Sequence, residues 1–63
     1  MLLKVNKKYR GISKDGSQKI EFVVCTMDRE KDEVYVKITE PITQHMGFKL
    51  STIENSELYS EIE

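Results

Sequence analysis

The stretch that decides the fold is residues 20–39, IEFVVCTMDREKDEVYVKIT. Side chains in two of its segments alternate between faces, so that one face carries Ile20, Phe22, Val24 and Thr26 and another carries Val34, Val36 and Ile38. Between the two segments, residues 28–33 are all charged. Alternation rich in β-branched residues, interrupted by a polar loop, predicts an antiparallel hairpin with one buried face.

The first strand of this hairpin also has apolar residues on its second face. They are Val23, Cys25 and Met27. A strand that is apolar on both faces usually lies centrally, with a layer covering each side. We therefore expect the sheet to curl over itself or the C-terminal segment to fold across it, and a dimer would be a further way to cover the second face. We expect Cys25 to be buried as a small hydrophobic residue.

A further strand is predicted before the hairpin. Apolar and polar residues alternate through residues 2–12, and the pattern weakens at residues 6–8, where a bend or a bulge fits. Asp15 and Gly16 then form a pair that tight turns prefer, because glycine adopts positive φ freely and aspartate does so better than most residues. The first two strands should therefore pair as a second hairpin.

The chain after residue 39 carries weaker signals. Pro41 should end the third strand, because proline has no amide hydrogen to donate, and residues 48–50 resume an alternation typical of a short fourth strand. Ser51 and Glu54 have the spacing of a capping box, which indicates the start of a helix. We expect one helical turn followed by a brief final strand within residues 52–62.

Together these elements predict an all-β fold in a single domain, residues 1–63. The expected architecture is a small antiparallel meander of four to five strands, curled into an SH3-like barrel or a bent sheet, with one short C-terminal helical turn. A three-stranded sheet packed on one C-terminal helix is the alternative. A chain this short buries only about 60% of the surface that its unfolded form exposes, so contact with a partner would add needed burial.

The composition indicates a cytoplasmic protein that does not enter the membrane. Cys25 is the only cysteine, which excludes an internal disulfide and suits a reducing compartment. Lys4 and residues 6–8 interrupt the apolar run that a signal peptide needs, and the apolar run at residues 22–25 is too short to span a bilayer. The abundance of lysine, glutamate and isoleucine is also typical of accessory proteins from low-GC bacteria and their phages.

No residue pattern indicates catalysis, a cofactor or a metal site. His45 is the only histidine, and its neighbours do not form a catalytic triad. Cys25 lies in a predicted central strand, whereas a nucleophilic cysteine must be partly exposed and activated. The acidic residues within 28–33 lack the glycine and the flanking helices of an EF-hand loop. We therefore expect a non-enzymatic protein without catalytic or metal-ligating residues.

Charge is distributed unevenly along the chain, although the net charge is only −1. Residues 1–19 contain six basic residues and one acidic residue, whereas residues 51–63 contain four glutamates and no basic residue. The two ends can neutralise each other on neighbouring strands or present separate patches. In the second case the basic first strand is a candidate nucleic-acid site, formed by Lys4, Lys8, Arg10 and Tyr9.

The leading functional interpretation is a small interaction or inhibitor module that binds a protein partner. Its candidate anchors are Tyr35, Met46 and Phe48, because aromatic residues and methionine are enriched at the centres of interfaces. A sheet edge can also accept a partner strand. The alternative is a nucleic-acid-binding regulator, against which the acidic pI of about 5.8 argues, and a homo-oligomer is a further way to add burial.

Overall fold

The computed structural model describes residues 1–62, which form one antiparallel sheet and one short helix. The elements in chain order are β1 (Lys8–Ile12), β2 (Lys19–Asp28), β3 (Glu33–Glu40), β4 (Gln44–Lys49), α1 (Leu50–Glu54) and β5 (Tyr59–Glu61). The strands lie side by side in the order β4-β3-β2-β1-β5.

This architecture confirms the predicted small antiparallel meander. Strands β1 to β4 follow one another across the sheet, and β5 returns to pair with the free side of β1. Among the described residues, β4 and β5 are the two edges, so the sheet stays open and is not a closed barrel. The alternative of three strands on a C-terminal helix is wrong, since the sheet has five strands and α1 has only five residues.

The predicted central hairpin is present, with register shifts between Glu21 and Phe22 and between Val24 and Thr26, the second of which is a bulge in β2. β2 pairs with β3 in antiparallel register, with Val24 opposite Val36 and Thr26 opposite Tyr35. Cys25 is therefore an extra residue in β2 without a partner of its own. Because side chains alternate with a period of two, one extra residue exchanges the faces of all residues that follow it in the strand.

The bulge corrects three predictions about β2. Thr26 is exposed, although it was expected on the buried face with Phe22 and Val24. Met27, expected on the opposite face, lies opposite Val34 and packs against the core. Cys25, expected to be buried, is exposed. β2 is consequently covered on one face only in this chain.

The first strand is shorter than the sequence predicted. β1 begins at Lys8, and the expected bend lies at Asn6, which has a positive φ of 68° and donates its amide to the Val24 carbonyl at 2.8 Å. Asparagine tolerates this left-handed conformation better than most residues. Leu3 is buried in the core, whereas Val5, expected on the same face, is exposed. The segment before β1 therefore turns at Asn6, and its first residues contact α1 through hydrogen bonds of Met1 and Leu3 to Glu54.

The turn between β1 and β2 forms at the predicted Asp-Gly pair. Gly16 has a positive φ of 75°, and the Asp15 carboxylate accepts hydrogen bonds from the Ser17 amide and from the Ser13 and Ser17 hydroxyls. These bonds stabilise the charged form of the carboxyl, which lowers the pKa of Asp15 to about 2.

The helix begins with help from the charged loop and not from a capping box. Asp32, between β2 and β3, accepts hydrogen bonds from the Ser51 amide at 2.7 Å and from the Ser51 hydroxyl at 2.6 Å. The Asp32 carbonyl accepts the Leu50 amide at 3.1 Å. Asp32 therefore satisfies free amides of the first helical turn, and these bonds hold its pKa below the usual value.

Glu54 ties the helix to the loop and to the N-terminal segment. Its carboxylate accepts two hydrogen bonds from the Arg29 guanidinium, both at 2.9 Å, and one from the Leu3 amide at 2.8 Å. The amino group of Met1 donates to the Glu54 carbonyl. The charged loop at residues 28–33, expected to be a solvated turn, is thus attached to α1 at both Arg29 and Asp32.

The core lies on one face of the sheet. Its buried side chains come from the N-terminal segment, the first three strands and α1: Leu3, Tyr9, Phe22, Val24, Val34, Val36, Ile38, Leu50 and Ile53. The Phe22 ring stacks on Tyr9 and meets Tyr59 edge to face, with centroids 5.8 Å and 6.1 Å apart. Tyr59 also packs against Gly11, where a Cβ would lie 2.5 Å from the Tyr59 ring. This close approach requires glycine at position 11 and docks β5 onto β1.

The fourth strand is longer than predicted. Residues 43–47 were expected to be irregular and a strand to span residues 48–50, whereas β4 spans Gln44–Lys49. The strand is almost fully exposed, so its sequence lacks the apolar alternation that identifies buried strands. Glu40 ends β3, as Pro41 predicted, and the Glu40–Pro41 peptide bond is cis.

Replacing Tyr9 by phenylalanine tests the link between the core and the N-terminal segment. The buried Tyr9 hydroxyl accepts a hydrogen bond from the Lys4 amide at 2.8 Å, so Tyr9→Phe should lower the free energy of unfolding by about 1 kcal/mol. The matched control is Tyr35→Phe, which removes a hydroxyl from an exposed ring and should leave the urea midpoint unchanged. Equal effects of the two variants would contradict this placement of Tyr9.

Acid should weaken the attachment of the helix. Hydrogen bonds from Arg29 hold the pKa of Glu54 below its ordinary value of 4.5, so Glu54 stabilises the fold above that pH and loses this effect as the pH falls through its folded-state pKa. Urea titrations of the wild type and Glu54→Gln should differ most near neutral pH and converge as the pH falls below the ordinary pKa of a glutamate. A difference that does not change with pH would refute the role of the charged form.

Candidate functional site

The face of the sheet opposite the core, called here the outer face, is not covered by α1 or by the N-terminal segment. A row of paired residues crosses four strands of this face. Lys8 in β1 lies opposite Val23 in β2, Val23 lies opposite Lys37 in β3, and Lys37 lies opposite His45 in β4. Residues directly opposite each other in antiparallel strands lie on the same face. This set, called the basic row, is Lys8, Val23, Lys37 and His45.

The two lysines of the basic row lie outside the ion pairs of the described residues. Within residues 1–62, the ion pairs are Arg10–Glu21 at 3.2 Å and Arg29–Glu54 at 2.9 Å, and neither includes a residue of the row. Arg10 lies next to the row on β1 and is neutralised by Glu21. The antiparallel pairing of β1 with β5 also places the basic start of the chain beside its acidic end. Lys8 and Lys37 are therefore two lysines of the outer face without an ion-pair partner in the described part of the chain.

An aromatic ring lies on the outer face next to the basic row. Tyr35 is 49% exposed, and its ring lies so close to Gly47 in β4 that a Cβ there would be 3.1 Å from the ring. An aromatic residue over a cross-strand glycine supplies contacts that glycine cannot make. The Tyr35 hydroxyl donates to Glu33 at 3.1 Å, and this hydrogen bond raises the pKa of Tyr35. Tyr35 is therefore held flat on the surface.

β4 is an exposed edge strand beside this ring. Within the described chain it pairs only with β3, and five of its six residues are exposed. Its outer-face residues are His45, Gly47 and Lys49, and its core-face residues are Gln44, Met46 and Phe48. Met46 is 39% exposed, whereas Phe48 is half-buried and packs against the core. The edge thus offers backbone groups with a basic side and a more apolar side.

Two shallow depressions flank Gly47. The smaller has a volume of about 190 Å³ and is lined by Cys25, Tyr35, Val36, His45, Met46 and Gly47. The larger, of about 450 Å³, continues from Tyr35 and Gly47 past Phe48 to the loop at residues 31–33. The missing side chain at position 47 is what leaves room between them. These depressions are open surface features suited to single side chains of a partner.

The structure places the predicted protein-binding residues in two different environments. Tyr35 is on the outer face, and Met46 is exposed at the core-side edge of β4. Phe48 is part of the core margin. Tyr35 and Met46 are therefore exposed, as binding to a partner requires. Packing against the core is a sufficient reason for the aromatic ring of Phe48.

The predicted nucleic-acid residues are also divided. Lys8 and Arg10 lie on the outer face, and Arg10 is paired with Glu21. Tyr9 lies on the opposite face with no exposed area, so its ring is not accessible to a base. Lys4 is exposed but precedes β1. Lys37 and His45 were missed as neighbours of Lys8, because their proximity depends on the register of four strands.

The described residues show no assembled catalytic or metal-binding group. Residues 1–62 contain no cluster of three or more histidine, cysteine or acidic side chains that could hold a metal ion. Cys25 and His45 line the same depression, and the Cys25 thiol donates a long hydrogen bond to the Val23 carbonyl at 3.9 Å. In the same part of the chain, the only helix, α1, is too short to cross a membrane.

Comparisons with known proteins return no match. No protein-family model, no curated protein and no solved structure is significantly similar to this chain. The functional argument therefore depends on the outer face and on the β4 edge themselves.

Alanine substitutions should separate the surface residue from the core residue. Phe48→Ala should lower the free energy of unfolding by about 2 kcal/mol, since its ring packs against the core but is only half-buried. Tyr35→Ala should have a much smaller effect, because half of its ring is already in water. Chemical denaturation of both variants tests this order, and a larger loss for Tyr35→Ala would make Tyr35 a structural residue.

Proposed function

We propose that this protein is a non-enzymatic interaction module that binds an acidic segment of a protein partner across its outer face. The observation that supports this most directly is the basic row, in which Lys8, Lys37 and His45 are aligned across the sheet beside the exposed Tyr35. Tyrosine is enriched at the centres of interfaces, and lysines around such a centre can pair with the acidic groups of a partner.

The marginal size of the fold supports the same proposal. The core occupies one face of the sheet, and the other face leaves Val23 half-buried and Tyr35 half-exposed. A partner seated on the outer face would bury this apolar surface while pairing with the lysines around it. The order of elements, a four-strand meander followed by a short helix and a strand beside β1, also supports an SH3-like fold that remains open.

A second candidate function is binding of single-stranded nucleic acid. The same row supports this function, because lysines can contact the phosphate backbone of a single strand while an exposed aromatic ring stacks on a base. Two features favour the protein partner. Tyr9, the other aromatic residue of the basic first strand, is buried, and the chain as a whole is acidic. A nucleic-acid-binding domain is expected to be basic.

Differential capture from a cell extract tests the proposal. The bait is the wild-type chain, and the test variant is Lys8→Gln/Lys37→Gln, which removes two charges from the basic row. The matched control is Lys4→Gln/Lys14→Gln, which removes two exposed charges outside the outer face, one from the segment before β1 and one from the turn between β1 and β2. We expect a protein that is retained by the wild type and the control, is lost from the test variant, and is released by moderate salt because the contacts are exposed ion pairs.

Nuclease treatment of the same extract separates the two candidate functions. Retention that persists after nuclease supports the protein partner. Retention that disappears after nuclease, together with steeply salt-dependent binding of an oligonucleotide, would favour the second candidate. Equal capture by all three baits would contradict any role of the basic row.

A further inference from the structure

β4 is the element of this structure best suited to a specific mode of recognition. It is a six-residue strand at the edge of the sheet, and no described segment of the chain pairs with its free edge, the one that faces away from β3. An unpaired strand edge presents amide and carbonyl groups to any extended chain, and natural proteins often protect such edges. Here the edge is left open beside the basic row.

The two sides of β4 differ in chemistry. On the outer face, His45 continues the basic row from Lys37, and Gly47 leaves a gap that the Tyr35 ring partly fills. On the core side, Met46 is exposed. An added strand would therefore meet positive charge and open space on one side and apolar surface on the other.

Charge at the far end of β4 is partly compensated. Lys49 lies opposite Glu33, and its charge helps to lower the pKa of Asp32, so the two are close together. Lys37 and His45 have no ion-pair partner among residues 1–62. The preference for a negatively charged ligand is therefore expected next to Lys37, at the His45 end of the edge.

We infer that β4 accepts an extended acidic segment of the protein partner as a sixth strand. The segment places an acidic side chain opposite His45 and a large side chain opposite Gly47, where the two depressions meet. Between them, an apolar side chain lies opposite Met46. This inference rests on the proposed function and adds the binding mode, the chain conformation and the residue pattern of the partner.

A synthetic peptide with this pattern provides the direct test. The probe repeats Glu-Val-Tyr-Val twice, so that acidic and large residues alternate on one face and valines occupy the other. The first control peptide has lysine at both glutamate positions. The second has the same composition with the order blocked as Glu-Glu-Tyr-Tyr followed by four valines. Binding is measured by fluorescence anisotropy of labelled peptides, and contact is located by amide hydrogen exchange of the protein.

We expect the alternating acidic peptide to bind at least about tenfold more tightly than either control. It should slow hydrogen exchange at amides of β4 and leave those of β5, the other edge, unchanged. Two further peptides carry N-methyl groups on the backbone, one at the odd-numbered and the other at the even-numbered amides. Only one of them should lose binding, because alternate amides of a strand point to opposite sides and only one set faces β4. Equal binding of the blocked peptide would contradict strand addition.

A negative charge introduced into β4 tests whether charge at this edge determines which peptide binds. His45→Glu should weaken binding of the acidic peptide by at least about tenfold and strengthen binding of the lysine peptide. The matched control is Lys14→Glu in the turn between β1 and β2, which changes the overall charge in the same direction and should affect neither peptide strongly. Similar losses in both variants would mean that only the net charge matters, which would overturn the proposed mode.

The outcomes also separate this inference from the proposed function. Binding that depends on Lys8 and Lys37 without protection of β4 would overturn the added strand and leave the binding face intact. Binding that neither depends on Lys8 and Lys37 nor protects β4 would overturn both the proposed function and the added strand. A free chain that sediments as a dimer with β4 already protected would assign the edge to a second copy and contradict the inference.

Discussion

The bulge at Cys25 is the constraint on which the arrangement of this sheet depends. A strand with apolar residues on both faces would need cover on both sides, which a chain of 63 residues has little material to provide. The extra residue moves Met27 to the core face and leaves Thr26 and Cys25 exposed. The chain therefore builds one core on one face, and the outer face becomes a surface.

Hydrogen bonds and an ion pair, and not a long helix, hold together the elements that cover the end of the core. Asp32 holds the start of α1, and Glu54 joins α1 to Arg29 and to the Leu3 amide. These contacts place the charged loop, the helix and the N-terminal segment over the end of the sheet where Leu3, Leu50 and Ile53 are buried. Because these elements all pack on the core side, none of the described segments covers the basic row or the free edge of β4.

The parts of the fold that follow from local chemistry were predictable, and the parts that follow from register were not. Period-two alternation identified the β2–β3 hairpin, and Asp15 with Gly16 identified the first turn. The sequence around Cys25 contains no glycine to signal a bulge, and Thr26 continues the alternation that predicted an unbroken strand. Ser51 and Glu54 matched a capping box, but Asp32 and Arg29 are their partners in space. Lys8, Lys37 and His45 become neighbours only when four strands are aligned.

The rate at which the Cys25 thiol reacts tests most directly whether the outer face is open in the free protein. Cys25 is the only cysteine, and its exposed side chain lines the depression beside Tyr35 and His45. A thiol reagent added to the native chain should label it within about tenfold of the rate measured in denaturant. Labelling slowed by about a hundredfold or more, and restored only by unfolding, would show that β2 is covered on both faces and would contradict this account.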